Sequence, residues 1–131
     1  MVIDTHVLLW WLTDAAMLSA EAGEFMAECE TGKRRCVLSG VSLWELELKR
    51  HKGRLPLNVP VRSLLPGLRQ LGYVQMEGTS VDLWLAAAEL DWSHRDPAGR
   101  VIAATALRLK LPVLTKDRCF HASDSPVAAV W

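Results

Sequence analysis

The chain has 131 residues, half of them hydrophobic, which suits one domain built on one core. Fifteen basic and fifteen acidic residues cancel, so overall charge neither selects nor excludes a nucleic-acid partner, and local patches decide. Cys29, Cys36 and Cys119 are odd in number, fit no zinc or redox spacing, and read as buried or idle thiols in a reducing cytosol.

Val2-Ile3 predicts a short buried strand ending at Asp4, and Thr5 to Leu12 a helix that is apolar nearly all round. Val7 to Leu12 is too short for a membrane span and lacks the basic flank of a signal sequence, so the expectation is a soluble, cytoplasmic protein with no membrane partner. Ser19 is placed to cap a second helix running to about Cys29, with Thr31-Gly32 as its stop. Cys36 to Leu38 predicts a second strand, Ser42 to Lys52 a third helix stopped by Gly53, and Leu55 to Asn58 a connector. Val59 to Leu71 reads as a weaker helix interrupted at Pro66-Gly67, Tyr73 to Met76 as a third strand, and Val81 to Leu90 as a helix capped by Ser80. Asp96 caps and Pro97 opens a helix to about Lys110; Pro112 to Leu114 and Val127 to Val130 complete the strands. Strands alternating with helices imply an α/β domain spanning residues 1–131, with a parallel sheet covered on both faces.

Four acids stand where such a fold does its chemistry. Asp4 and Asp117 follow apolar strands, Asp96 opens a helix, and Glu45 lies inside one. In a parallel α/β sheet the carboxyl edge of the strands carries the site, and carboxylates gathered there hold a hard divalent cation. Each acid has a structural alternative. Asp4 and Asp96 are good caps, Asp117 suits a turn, and Glu45 sits at the border of a stripe formed by Val41, Trp44 and Leu48, with Glu47 toward solvent.

Arg95, Arg100, Lys116 and Arg118 flank the two late acids and are candidates for phosphate contacts. Lys49, Arg50, Lys52 and Arg54 read as a solvated helix end favoured by the macrodipole. Of the six tryptophans most are assigned to core or subunit contacts. The four histidines lack metal-ligand spacing, and His94, nearest an acid, is read as structural.

Ile3-Asp4-Thr5-His6 with the following apolar run resembles the opening of PIN-domain ribonuclease toxins of the VapC type. Ser42-Leu43-Trp44-Glu45, His94-Arg95-Asp96-Pro97 with Val101 to Ala106, and Leu114 to Arg118 resemble that family's later motifs in order. The resemblance implies a three-layer α/β/α sandwich around a mostly parallel four- to five-stranded sheet. It implies Mg²⁺- or Mn²⁺-dependent RNA cleavage, a homodimer, and an antitoxin that blocks the site. By motif position Asp4, Glu45 and Asp117 take catalytic and metal-site roles, with Thr115 in support, and Asp96, the first Asp of the third motif, is carried with them as a catalytic and metal candidate.

One position departs. The family's third motif carries a second Asp where this chain has Gly99. Asp96 is three residues away, about 5–6 Å between Cβ atoms in a helical turn. Mg²⁺ takes oxygens at about 2.0–2.1 Å, so Asp96 does not simply substitute, although it can act through a water. An attenuated nuclease follows. The alternatives are an impaired module that only binds RNA or its antitoxin, and a phosphotransfer domain with Asp4 as nucleophile.

Overall fold

Among the described residues, 1–55 and 57–131 of the computed structural model, five short strands form one sheet: β1 (Val2–Ile3), β2 (Cys36–Ser39), β3 (Val74–Glu77), β4 (Val113–Leu114) and β5 (Ala129–Val130). Their order is β3-β2-β1-β4-β5 and every neighbouring pair is parallel. The chain starts in the middle, builds outward to β3, and returns to the other side of β1 with β4. The gap above β1 and β4 is therefore the switch point, where an open parallel sheet leaves a crevice.

The pleat sorts the core into two layers. Val2, Val37 and Val113 are register neighbours and pack with α5 (Val81–Glu89) and α6 (Pro97–Leu109). Ile3, Leu38 and Leu114 point the other way, toward α1 (Thr5–Thr13), α2 (Ala20–Glu30) and α4 (Leu65–Gln70). The helix α3 (Gly40–His51) lies at the seam, giving Val41 to the first layer and Leu46 to the second. The result is a three-layer α/β/α sandwich. The central strands are wholly buried, as a sheet covered on both faces requires.

The caps read from the sequence hold. Asp4, Ser19, Ser80 and Asp96 each accept a backbone N–H at the start of their helices. Gly32 and Gly53 sit at φ 75° and 64° just past helix ends, a conformation glycine adopts without a Cβ penalty. Pro66 does not interrupt a helix. A 3₁₀ turn, Val61–Leu64, precedes α4, and Pro66 falls in the first turn of α4, where its missing N–H costs nothing. The connector expected over Leu55 to Asn58 includes Pro56, which lies outside the described residues.

The stripe proposed for α3 is out of phase. Trp44 and Leu48 are exposed, and the inward residues are Val41, Ser42 and Leu46. Hydrophobicity alone misled because α3 packs between α1 and α6 and buries a serine there. Glu47 lies toward solvent, as expected, but is not free there. It accepts from Arg50 and from the Val61 backbone N–H at 2.8 Å, tying α3 to the following turn. Those donors hold its carboxyl down at about 2.

Arg100 fastens α5 to α6. Its guanidinium donates to the carbonyls of Ala87, Ala88 and Leu90 at the end of α5, and to those of Trp92 and His94 in the connection. With Nε, Nη1 and Nη2 all engaged, no donor remains for a phosphate, so the contact expected of Arg100 gives way to a structural clamp. The apolar residues of α1 are largely covered. By contrast α5 exposes Val81 (75%), Leu85 (55%) and Trp84 (42%).

Replacing Arg100 by Ala should cost on the order of 3 kcal/mol, given about 1.5–3 kcal/mol for a charged donor and imperfect additivity. Lys, with three donors on one point, should recover little of it. Urea midpoints for both variants matching the wild type would remove the clamp from the account.

Candidate active site

A cleft of about 340 Å³ opens at the switch point, lined by Asp4, Thr5, His6, Glu45, Lys49, Asp96, Gly99, Asp117 and Phe120. All four acids singled out in the sequence face it. They come from the end of β1, the middle of α3, the cap of α6 and the loop after β4.

Asp4 is both cap and site residue. Its side chain is nearly buried; Oδ1 accepts from the Thr5 N–H, and Oδ2 accepts from the Thr115 hydroxyl and faces His6 Nδ1 at 3.1 Å. Burial pushes this carboxyl up, but the His6 bond, followed by Thr115 and the Thr5 amide, outweighs it and holds Asp4 below its ordinary value. His6 Nε2 accepts from the Lys116 amide at 2.9 Å. An amide can only donate, so Nε2 carries the lone pair, and Nδ1 carries the proton that points at Asp4.

Thr115 couples two acids. Its hydroxyl accepts from the Asp117 N–H at 3.0 Å while donating to Asp4. Asp117 then caps the 3₁₀ turn Arg118–His121 through Oδ1 and the Cys119 amide. The His121 imidazole lies 2.9 Å from the Thr115 carbonyl.

Glu45 is paired with Lys49 Nζ at 2.5 Å. Lys49, in the partly exposed last turn of α3, thus also lines the cleft; its spacing of four from Glu45 was the available signal. Asp96 accepts from the Gly99 N–H at 2.8 Å and remains exposed at the rim. Gly99 is not idle. A Cβ there would lie 2.3 Å from His94 Nε2, so the glycine makes room for that ring. Arg95, Lys116 and Arg118 are exposed, with Lys116 Nζ 5.4 Å from the Trp10 ring centroid. His6 was missed as a site residue, although its place two residues after a strand-end Asp was readable.

The residues fit a hard cation in charge, but they are not closed around one. Among the described residues, the trio of ligand-type side chains with donor atoms all within 4.8 Å of one another is His94, Asp117 and Cys119, not Asp4, Glu45 and Asp117. Two buried atoms at the cleft, Thr5 Oγ1 and His94 Nε2, lack hydrogen-bond partners.

The family model described as PIN domain matches residues 1–124. The chain belongs to the PIN-domain family. This PIN domain is 30% identical over 133 aligned residues to "Ribonuclease VapC22" of Mycobacterium tuberculosis, covering 99% of this chain and 97% of that protein, which places it with the VapC type. Solved structures share its fold. FitAcB from Neisseria gonorrhoeae matches with a TM-score of 0.64 at 21% identity, covering 99% of this chain and 96% of that one. VapBC2 from Rickettsia felis, bound to a DNA fragment from its promoter, matches with a TM-score of 0.66 at 12% identity, covering 99% and 98%. Among the described residues no helix is long and apolar enough to cross a membrane.

Acid should separate Asp4 from its asparagine variant. A carboxyl depressed in the fold adds stability above its unfolded value of 3.8, and that stability is lost as pH falls through the lower folded value. Asp4→Asn should therefore melt below the wild type at neutral pH, with the gap closing below about pH 4. A gap that stays constant down to pH 2 would show that the Asp4 bonds do not depend on its charge.

Proposed function

We propose that this single-domain chain is a metal-dependent endoribonuclease, the toxin of a toxin–antitoxin pair, working in the cytoplasm. The observation that carries the reading is the convergence of Asp4, Glu45, Asp96 and Asp117 on one cleft at the sheet's switch point, with Thr115 linking Asp4 and Asp117. The likeness to a protein named as a ribonuclease supports the substrate class, and the FitAcB and VapBC2 folds support an antitoxin partner.

Asp4, Glu45 and Asp117 would hold Mg²⁺ or Mn²⁺, with Asp96 acting through water. Such an ion, when bound, activates a water and balances charge on the scissile phosphate. The chain's own residues do the rest. Thr115 and His6 keep Asp4 ionised and aimed, the Glu45–Lys49 pair keeps a cation beside the carboxylates, and Arg95, Lys116 and Arg118 offer exposed charge to the RNA backbone.

A second reading, an impaired module that only binds RNA or its antitoxin, is favoured by one observation: Gly99 leaves the first turn of α6 without a carboxylate. Purified chain, incubated with RNA and Mg²⁺ or Mn²⁺, tests both. Cleavage that EDTA, Asp4→Asn and Asp117→Asn each abolish is the expected result. Gly99→Asp should raise the rate roughly tenfold or more, while Gly99→Ala, which displaces His94 without adding an oxygen, should not. RNA binding without cleavage, unchanged by Gly99→Asp, would favour the binding module.

The exposed face of α5 is the proposed homodimer contact, since a contiguous apolar patch on a small domain marks an interface. Leu85→Glu should convert a dimer into a monomer in sedimentation equilibrium. A wild-type chain that is already monomeric at micromolar concentration would contradict the proposal.

A further inference from the structure

His94 lies beside the nuclease cleft and is not explained by it. Its ring packs edge-on against Trp92 and Phe120, with centroids at 4.6 and 5.8 Å, so it is held in place. The side chain is only 9% exposed and Nε2 has no hydrogen-bond partner. Asp117 Oδ2 lies 3.3 Å away, but off the direction a hydrogen bond needs. A buried, rigid imidazole nitrogen with an unused valence next to a carboxylate is the observation to be explained.

Cys119 supplies the third group. One ring nitrogen of His94, an Asp117 carboxylate oxygen and Cys119 Sγ all lie within 4.8 Å of one another, and Nε2 is the nitrogen that faces Asp117. We propose that these three side chains form a site for a borderline transition-metal ion of the Zn²⁺ or Co²⁺ kind. Tetrahedral ligands at bond lengths of about 2.0–2.3 Å stand about 3.3–3.8 Å apart, and the His94–Asp117 edge already has that length. One nitrogen, one oxygen and one sulfur make a donor set that Zn²⁺ and Co²⁺ accept and Mg²⁺ does not. Binding converts the Cys119 thiol to a thiolate and releases its proton to solvent. Asp117 and Cys119 are both partly exposed, so an ion can enter and a water can take the fourth position.

Gly99 is the condition for this site. A Cβ at position 99 would lie 2.3 Å from Nε2 and 2.8 Å from Cδ2 of His94. A side chain there forces the ring to shift from the position it holds beside Asp117. The glycine that removes a carboxylate from the oxygen cleft thus admits an imidazole beside it. Since Asp117 belongs to both groups, an ion held here withdraws it from the oxygen cleft. The proposal does not rest on the ribonuclease reading.

The test uses the full chain, metal-free and without RNA. Titration with Co²⁺ should bring up a thiolate-to-cobalt charge-transfer band together with intense tetrahedral d–d bands. Zn²⁺ should bleach both, and a large excess of Mg²⁺ should not. Cys119→Ser should abolish the charge-transfer band. His94→Gln and Gly99→Ala should each weaken Zn²⁺ binding about tenfold or more, measured by competition with a chromophoric chelator. Near-UV circular dichroism checks that each variant is folded. A wild-type chain that shows no charge-transfer band with Co²⁺ overturns the proposal without any variant. So does a band that survives Cys119→Ser, since the thiolate would then be Cys29 or Cys36.

Discussion

The hydroxyl of Thr115 is the contact on which the site depends. It has one proton and gives it to Asp4; its lone pair takes the amide of Asp117. That arrangement requires Asp4 and Thr115 to be cross-strand neighbours, which follows from the pairing of Ile3 with Leu114. The pairing in turn requires the chain to come back to the open side of β1 after building β2 and β3. Topology, register and one hydroxyl thus bring carboxylates from residues 4 and 117 to the same place. A valine at 115 would keep the shape and leave both partners short of a bond.

Much of this was legible in advance, for identifiable reasons. The caps at Asp4, Ser19, Ser80 and Asp96 were readable because capping is a local matter of one side chain and one amide. The strands were readable because a parallel sheet covered on both faces needs short unbroken apolar runs. The face of α3 was not. A helix wedged between two others buries what fits, and here that includes Ser42 and excludes Trp44. The role of Arg100 was also hidden, because a basic residue beside an acid looks the same whether it faces a phosphate or five carbonyls.

Gly99 shows the same limit from the other direction. In the sequence it was only a missing carboxylate. In the fold it is a space with an occupant, since the His94 ring leans into it from five residues upstream. A local penalty of about 1 kcal/mol for glycine in a helix has to be weighed against the placement of a buried, aromatic-packed ring. Spacing rules do not reveal that trade. His94 and Gly99 meet only because Asp96 turns the chain sharply into α6 between them.

The Arg100 clamp has a mechanical consequence. A helix ends in carbonyls that nothing inside it can satisfy, and those at the end of α5 are tied to the first turn of α6. The same guanidinium holds the carbonyl of His94, one side chain away from the cleft. The helix that shows an apolar surface to the outside and the loop that edges the carboxylates therefore move as one lever. A load that tilts α5 must either break hydrogen bonds to a charged donor or drag the loop at residues 92–94 along with it.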